Sequence, residues 1–544
     1  MHFLPCSVGN DNLCIYGILV IMLYCYAMVF IEKKYSQLHF HSSYEMFISI
    51  VTFLSIGNSV DRTQKLNLEV SSHRAGRFHS LSVVRLMRIE IGGAFTDLLN
   101  NKVKQSRHNE MVYVERTLGF CTKDLHDRDL RLVTNIVGGS IRWKRYLDHL
   151  IGSLCLEKNV FKRLEPLLLQ ILRVGCYEMV KLDKPSYAVV SGCVKLAKAS
   201  LRPGAGDFVN AILRKLASLK EQESLPLPKL DGGDNSKAYA LSIHYSHPEW
   251  IVSRWLKSYG EDETIKLMEW NNSEPGFCLR TNIRKNMTRD DFIKELDSIK
   301  VPYQPSVHLD QFVHVKTGLQ AVLGAGLLKR GFCAVQDESS GFIVSIVNPL
   351  PGESIVDCCA APGGKTLHMA SQMYGKGMIY AIDKNKGRLR ILRETAKLHE
   401  VDDVITVIPA DLCFFVEDYP MKSDKILLDA PCSGLGVLAK RPDLRWNRKL
   451  EDFEEIKKLQ DQLLDAASKM VRDGGVLIYS TCSVESEENE ERVDAFLLRH
   501  PEFKVDPVDK YVPPDFVTDG GFFFSHPARH GIDGAFAARL VCFS

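Results

Sequence analysis

Residues 354–366 of this 544-residue chain read SIVDCCAAPGGKT, an apolar run followed by a turn of small residues and then by a lysine and a threonine. The run Ser354–Cys358 predicts a buried strand, and the pair Gly363-Gly364 predicts a tight turn into a helix. Such a turn lets a ligand approach the backbone closely at the amino terminus of the helix. The stretch therefore predicts the first strand and the cofactor loop of an α/β domain.

Two other ligand-binding motifs do not match this loop. The end of the stretch imitates a phosphate-binding P-loop, but that motif requires a glycine where this chain has Cys359. The Gly-x-Gly-x-x-Gly fingerprint of dinucleotide-binding folds is also absent. A nucleoside triphosphate or a dinucleotide is therefore not the predicted ligand.

Short apolar runs continue after the loop and alternate with stretches of helical pattern. The predicted strands are Ser354–Cys358, Met378–Asp383, Val404–Pro409, Lys425–Asp429 and Val476–Ser480. This alternation predicts a doubly wound, Rossmann-like parallel sheet in residues 331–544.

Acidic residues end or follow three of these strands: Asp383, Asp411 and Asp429. Asp383 lies nineteen residues beyond Gly364, where a Rossmann-type fold places the carboxylate that accepts hydrogen bonds from ribose hydroxyls. Taken singly, each aspartate is more typical of a helix cap or a turn. Together, around one Gly-rich turn, they favour a cofactor with a ribose and no polyphosphate, and S-adenosylmethionine fits that description.

Two cysteines directly follow two of the strands. Cys432 lies in LDAPCSG at residues 428–434, and Cys482 lies in YSTCS at residues 479–483. Because the carboxyl ends of parallel strands line one crevice, both thiols are expected to face the same site. A thiolate that adds to carbon 6 of a pyrimidine makes carbon 5 nucleophilic enough to take up a methyl group. Cys482, Cys432 and Asp429 are candidates for the nucleophile, a second acid/base group and a carboxylic acid, although free cysteines are commonly small buried hydrophobic residues.

The cofactor loop, the Pro-Cys motif around Cys432 and the Thr-Cys motif around Cys482 together resemble the RNA cytosine-5 methyltransferases of the NOL1/NOP2/Sun superfamily. Within that superfamily, the chain resembles the bacterial Sun/Fmu (RsmB-like) type, which carries a NusB-like domain before the catalytic domain. The resemblance implies S-adenosylmethionine as cofactor and a cytosine of small-subunit ribosomal RNA as target. It implies that the cofactor contacts Cys359, Ala360, Ala361, Pro362, Gly363, Gly364, Lys365, Asp383, Asp411 and Asp429.

The resemblance also implies separate roles for the two thiols. Cys482 is the implied nucleophile, and Cys432 is implied to assist release of the product. DNA cytosine methyltransferases attack with the Pro-Cys thiol, so the presence of both thiols favours RNA. In the basic stretch that follows, Arg441, Arg445 and Trp446 are candidates to touch phosphate and stack on a base, and the alternative is a core tryptophan with solvated arginines.

The region ahead of the catalytic part is basic and has a helical pattern. Residues 76–222 contain 25 Lys and Arg against 14 Asp and Glu, whereas the whole chain has a net charge of +2. Breaks at Gly138-Gly139, Pro185 and Pro203-Gly204 predict several helices in an all-α bundle, and the bundle resembles a NusB-like RNA-binding domain. A solvated helical surface is the alternative explanation of the charge.

Two segments connect the helical domain to the catalytic domain. Residues 223–237, with several Pro and Gly, predict a linker, and residues 238–330 predict a small α/β domain. The predicted fold is therefore an all-α bundle, a small α/β domain and a Rossmann-like methyltransferase domain.

Residues 1–75 do not belong to any of these domains. Leu13–Ile31 has no charged residue and is long enough to cross a bilayer, whereas Ser55–Arg88 is rich in Ser, Arg and His like part of a transit sequence. A targeting leader or a dispensable extension is favoured over a membrane anchor, because the rest of the chain has the pattern of a soluble protein. The leader favours an organelle with bacterial-type ribosomes, chloroplast before mitochondrion, with the cytoplasm as alternative.

The functional hypothesis is methylation of carbon 5 of a cytosine in 16S-type ribosomal RNA by a monomeric enzyme. An RNA-binding or antitermination-like module without activity is the alternative. A small-molecule methyltransferase leaves the two thiols and the basic domain unexplained. The fifteen cysteines form no Cys-x-x-Cys pair, which predicts reduced thiols and no metal site.

Overall fold

The computed structural model describes residues 77–91, 104–119, 125, 127–230 and 234–543. The predicted leader of residues 1–75, including Leu13–Ile31, lies outside this described part. In the described part, no helix is both long enough and apolar enough to cross a bilayer. The described residues belong to one compact unit, Arg74–Ser544.

The amino-terminal portion of the described chain is helical. Its helices are α1 (Arg77–Glu90), α2 (Lys104–Leu118), α3 (Asp127–Arg142), α4 (Lys144–Leu154), α5 (Lys158–Lys162), α6 (Pro166–Val180), α7 (Ser186–Ser200) and α8 (Pro203–Glu221). They share one core of buried aliphatic residues, in which α6 is central because nearly all of its side chains are buried. The predicted all-α bundle is thus present.

One predicted helix break is wrong. Gly138 and Gly139 lie inside α3, where Gly139 serves close packing and Gly138 has open space around it. A Cβ atom added to Gly139 would lie 1.9 Å from Cζ of Tyr177, so only glycine lets α3 approach α6 this closely. The breaks at Pro185 and Pro203 are confirmed, since Pro185 caps α7 and Pro203 opens α8.

A small antiparallel sheet follows the bundle. The elements are α9 (Asp234–His244), α10 (Glu249–Asn272), β1 (Phe277–Thr281), α11 (Arg289–Ser298), β2 (Gln304–Pro305), β3 (Phe312–Val315), α12 (Leu319–Gly324) and β4 (Cys333–Val335). The strand order is β2-β3-β1-β4, and each neighbouring pair is antiparallel. The predicted small α/β domain is therefore present, and α9 begins inside the predicted linker.

The carboxyl-terminal portion is built on an eight-stranded sheet. Its strands are β5 (Ser354–Cys358), β6 (Met378–Asp383), β7 (Ile405–Pro409), β8 (Ser423–Asp429), β9 (Val471–Thr481), β10 (Phe503–Val505), β11 (Phe523–Ser525) and β12 (Ala535–Cys542). The order is β10-β12-β9-β8-β5-β6-β7, with β11 paired to β12. The five strands from β7 to β9 in this order are parallel as predicted, and the carboxyl-terminal strands add antiparallel pairs.

Helices cover both faces of this sheet and make two separate cores. The helices of this portion of the chain are α13 (Glu338–Val347), α14 (Gly364–Gln372), α15 (Lys386–His399), α16 (Leu412–Asp418), α17 (Leu444–Asn447), α18 (Asp452–Ser468), α19 (Glu490–Arg499) and α20 (Pro527–His530). The chain runs from β5 outward to β7 and returns to β8 on the other side of β5. The carboxyl ends of β5 and β8 thus flank a topological switch point, which is where such sheets bind ligands.

Candidate active site

The two thiols predicted to share a site lie in contact. β8 and β9 are adjacent and parallel, so the segments that follow them emerge side by side at one edge of the sheet. The Sγ atoms of Cys432 and Cys482 are 3.1 Å apart, and the backbone N–H of Cys482 donates to Sγ of Cys432 at 3.3 Å. Both residues are half-buried. The structure therefore brings the predicted pair together and leaves it within reach of a ligand.

The environment separates the two thiols chemically. The hydrogen bond with Cys482, together with burial, raises the pKa of Cys432 well above its usual range. Cys432 therefore keeps its proton at neutral pH and can donate a hydrogen bond to a thiolate on Cys482. Because Cys432 holds its proton, Cys482 is the candidate nucleophile of the pair.

A buried glutamate that the sequence did not single out holds both cysteine loops. Glu488 accepts hydrogen bonds from the backbone N–H of Ser433 at 2.7 Å and from the hydroxyl groups of Ser433 and Ser483, each at 2.5 Å. The amide of Gln460 donates to the same carboxylate at 3.2 Å. Glu488 lies in a run of acidic residues that resembles a solvated helix start, so no local signal pointed to this role.

The predicted acid Asp429 forms an ion pair with the cofactor loop. Lys365 Nζ lies 2.7 Å from Asp429 Oδ2, and the Ser480 hydroxyl donates to Asp429 Oδ1 at 3.0 Å. Burial alone would lower the pKa of Lys365, but the contact with Asp429 outweighs burial and raises it. The lysine is therefore charged, and it fixes the Asp429 carboxylate beside the thiol pair.

The Gly-rich loop has the conformation that its sequence predicts. Gly363 has a φ of +110°, and a Cβ atom there would lie 2.7 Å from Cγ of Leu392 on α15. Asp383, at the end of β6, accepts a hydrogen bond from the backbone N–H of Ala361 at 3.1 Å. Its other oxygen accepts from the N–H of Asn385 at 2.7 Å. Asp383 thus supports the loop, and its contact with a ribose stays a prediction.

A buried aspartate near the end of β5 has one oxygen without a hydrogen-bond partner, and this bears on whether the loop fits S-adenosylmethionine. Asp357 Oδ2 accepts from the Thr366 hydroxyl at 2.6 Å, whereas Asp357 Oδ1 is buried and has no hydrogen-bond partner among the described residues. Burial raises the pKa of Asp357 to about 7, against the opposing hydrogen bond from Thr366. An unpaired buried acceptor beside a glycine turn fits a ligand that carries donors, such as the amino-acid or ribose portion of this cofactor.

The remaining predicted cofactor residue, Asp411, lies at the carboxyl end of β7. It is exposed, and its side chain caps α16 by accepting from the N–H of Cys413 at 3.1 Å. Its contact with the cofactor stays a prediction.

The predicted RNA contact of Arg445 is wrong. Its guanidinium group is fully buried and donates to the carbonyl oxygens of Ser246 at 3.1 Å and Asn271 at 3.0 Å. It also donates to the side chain of Asn272 at 2.9 Å. A phosphate cannot reach it, because the end of α10 and the loop before that helix enclose the charge.

Trp446 and Arg441, the other two predicted RNA contacts, have different surroundings from Arg445. The Trp446 indole N–H donates to the carbonyl of Ile141 in α3 at 2.7 Å, so this ring joins the helical bundle to the catalytic domain. Trp446 is therefore better described as a core tryptophan, the alternative given by the sequence, than as an exposed ring on which a base could stack. Arg441 is half-buried beside Asp443, and its contact with RNA stays a prediction.

Two further cations shape the Pro-Cys loop and were not predicted. Arg448 donates to the carbonyl oxygens of Cys432 and Ser433, each at 2.9 Å. Lys440 bridges the carboxylates of Asp337 and Asp533. Lys440 connects segments far apart in sequence, and Arg448 folds back onto the loop that precedes it; a local pattern reveals neither contact.

A cluster of metal-ligating atom types lies in the helical bundle. Its members are His79, Glu178 and Cys193, all buried, and His79 Nε2 lies 2.5 Å from Glu178 Oε2. A hydrogen bond accounts for the closest pair. The predicted lack of a metal site stays a prediction.

Family models of known proteins match three segments of this chain. A family model described as 16S rRNA methyltransferase RsmB/F matches residues 344–541, a NusB family model matches residues 90–218, and a ferredoxin-like domain of RsmF/B-like methyltransferases matches residues 247–321. The probable ribosomal RNA small subunit methyltransferase B of Synechocystis is 33% identical over 417 residues, which cover 76% of this chain and 91% of that protein. The chain belongs to the RsmB/F family. The predicted resemblance is confirmed.

Other relatives of the RsmB/F family agree. The probable ribosomal RNA small subunit methyltransferase B of Bacillus subtilis is 28% identical over 471 residues, which cover 85% of this chain and 97% of that protein. Among solved structures, PH0851 matches with a TM-score of 0.69 and 27% identity over 85% of this chain and 98% of its own. A methyltransferase homologue from Pyrococcus horikoshii matches with a TM-score of 0.50 and 25% identity over 56% and 99% of the two chains.

The family relationship confirms two predictions. The fold is a NusB domain, a ferredoxin-like domain and a Rossmann-like methyltransferase domain, and S-adenosylmethionine is the cofactor of this family. The three matches fall within the predicted segments 76–222, 238–330 and 331–544, whose limits stay predictions.

Proposed function

We propose that this protein methylates carbon 5 of a cytosine in small-subunit ribosomal RNA through a covalent adduct with Cys482. The observation that carries the proposal is the pair of sulfur atoms 3.1 Å apart, at the ends of two parallel strands beside the Lys365–Asp429 ion pair. The names of the RsmB relatives support ribosomal RNA as the substrate class. The acid/base groups around the thiols support a pyrimidine as the target.

Each side chain has a defined task in this mechanism. The target base leaves its stack, and the Cys482 thiolate adds to carbon 6, which transfers electron density to carbon 5. As electron density enters the ring, nitrogen 3 takes up a proton from solvent, and the Asp429 carboxylate, oriented by Lys365 and Ser480, accepts a hydrogen bond from the resulting N–H. Nitrogen 3 returns this proton to solvent when the product ring re-forms. Bound S-adenosylmethionine supplies the electrophilic methyl group.

Release of the product requires two bonds to break. Carbon 5 loses its proton to solvent, the ring double bond forms again, and the bond between carbon 6 and the Cys482 sulfur breaks. Cys432 touches that sulfur and keeps its own proton, so it can donate a hydrogen bond to the departing thiolate.

Replacement of the nucleophile tests the proposal. We expect Cys482→Ala to reduce methyl transfer by about 10³-fold or more, because the adduct cannot form, while S-adenosylmethionine affinity stays within about twofold. Transfer of a labelled methyl group to a 16S-type transcript measures the first quantity, and calorimetry measures the second. Cys413→Ala is the matched control, since Cys413 is a half-buried cysteine on α16. Full activity of Cys482→Ala would refute the covalent mechanism.

A second cysteine variant separates attack from release. We expect Cys432→Ala to leave protein covalently attached to RNA, because the sulfur then departs without its hydrogen-bond donor. A denaturing gel detects the adduct, and Cys432→Ala combined with Cys482→Ala should show none. Bisulfite sequencing of the rRNA with and without the enzyme identifies the modified cytosine.

We also propose that the protein acts in an organelle with bacterial-type ribosomes, chloroplast before mitochondrion. The Ser/Arg/His-rich composition of Ser55–Arg88 supports this compartment. The full chain with a carboxyl-terminal fluorescent tag should enter the organelle, and a version without residues 1–75 should not. Cytoplasmic fluorescence of the full chain would contradict the proposal.

A further inference from the structure

Helices α7 and α8 leave a surface groove on the helical bundle, separate from the cysteine pair. The groove has a volume of about 560 Å³. Its walls carry the hydroxyl groups of Ser191 and Ser218, the amide of Asn210 and the cations Lys195 and Arg214. Val190 and Val194 contribute apolar surface, and Glu221 lines the groove with the opposite charge. A groove that combines apolar walls with two cations and several hydrogen-bonding groups suits an anionic ligand that also carries apolar surface, such as a nucleotide strand.

The charge of this helix pair is unbalanced at the groove. Residues 185–222 contain six Lys and Arg and two Asp and Glu. Three of the cations are neutralised, because Lys198 pairs with Asp207, Arg202 with Glu165 and Lys220 with Asp183.

The two cations of the groove lack such partners. Lys195 and Arg214 are exposed, and neither forms an ion pair with a described residue. Arg214 donates to the side chain of Asn210 at 2.8 Å, which orients the guanidinium along the groove wall. Two positive charges therefore stay available at one surface feature, as phosphate recognition requires.

An aromatic ring also lies at the groove. Tyr187, in the first turn of α7, is 81% exposed. Exposed aromatic rings beside cations are what proteins use to stack unpaired bases of single-stranded nucleic acid. A duplex is a poorer match, because its bases present no free faces.

We propose that the groove between α7 and α8 binds a single-stranded segment of the RNA substrate, with phosphates on Lys195 and Arg214 and a base on Tyr187. The inference rests on the proposed function, since the bound strand belongs to the RNA that the catalytic domain methylates. The groove contributes affinity and placement of the substrate, and it takes no part in methyl transfer itself.

The salt dependence of RNA binding tests the two cations. For the full chain with a 16S-type transcript, each lost single-strand phosphate contact should reduce the slope of log K against log salt by about 0.7. Lys195→Ala with Arg214→Ala should therefore reduce the slope by about 1.4 and weaken binding at low salt. Lys198→Ala with Lys220→Ala is the matched control, because it removes the same charge from cations that already have partners.

The aromatic ring has its own matched pair. Tyr187→Ala should weaken binding by about tenfold, whereas Tyr187→Phe should bind like the natural protein, because stacking needs the ring and not the hydroxyl group. Thermal unfolding of both variants should be unchanged, since the side chain is exposed.

A second substrate distinguishes failure of the groove from failure of the proposed function. A short oligonucleotide centred on the modified cytosine should be methylated equally by the groove variants and the natural protein. If the natural protein methylates neither RNA, the proposed function fails. If it methylates both and the groove variants bind the transcript with unchanged slope and affinity, the groove proposal is overturned. Loss of binding to a ribosomal protein, with RNA affinity retained, would overturn it as well.

Discussion

Glu488 has no exposed surface, yet its carboxylate is the common acceptor for both loops that carry the reactive cysteines. A carboxylate with several donors around it is strongly satisfied, and the donors depend on it in turn. Ser433 and Ser483 each directly follow one of the cysteines in sequence. The short distance between the two sulfur atoms therefore depends on Glu488, although Glu488 forms no hydrogen bond with either sulfur atom.

We predict that Glu488→Gln uncouples the two cysteine loops. The new NH₂ group would face the hydroxyl and N–H donors, so at least one hydrogen bond is lost and unfolding becomes easier by about 1–3 kcal/mol. Methyl transfer should fall by about 10²-fold, since small misplacements of reacting groups have effects of that size. Thermal unfolding and methyl incorporation measure the two effects. Glu491→Gln, at an exposed position of α19, should change neither, and equal behaviour of both variants would contradict the role of Glu488.

At the scale of elements, the sequence predicted those strands and loops that local patterns of residues encode. The apolar runs gave the limits of β5 and β6 as observed, and the cysteine loops follow predicted strands because strand ends are marked by Pro, Gly and small residues. The failures have a different origin. Gly139 was interpreted as a break although it packs against Tyr177, and Arg445 was interpreted as a surface cation although it lies among carbonyl groups of α10. Both errors concern contacts between residues distant in sequence, which a local pattern does not encode.

The cofactor loop offers a prediction at the same scale, because its two glycines have different constraints. We predict that Gly363→Ala lowers the free energy of unfolding by about 2 kcal/mol, since alanine is strained at positive φ and its Cβ would meet Leu392. The displaced loop should also bind S-adenosylmethionine more weakly. Gly364→Ala is the control for stability, because no atom lies within 4 Å of the added Cβ. Chemical denaturation and calorimetry compare the variants, and equal loss of stability in both would contradict the assigned constraint.

At the scale of the whole molecule, one short segment after the Pro-Cys motif joins the domains. Arg445 bonds to the ferredoxin-like portion, Trp446 bonds to Ile141 of the bundle, and Arg142 of the bundle donates to the carbonyl of Ala439 at 2.8 Å. The segment lies shortly beyond Cys432, so the helical bundle and the loop that carries this thiol are held by the same few residues. This arrangement explains why the buried guanidinium group of Arg445 serves structure and not the substrate.

We predict that Arg445→Met loosens the contact between domains. The substitution leaves the carbonyl groups of Ser246 and Asn271 buried without their donor, which should cost at least about 3 kcal/mol. The thermal transition should move to lower temperature and divide into separate steps, because domains that lose their shared contacts unfold independently. Lys449→Met, at an exposed position nearby, should unfold like the natural protein. A single unshifted transition for Arg445→Met would show that the buried guanidinium group does not hold the domains together.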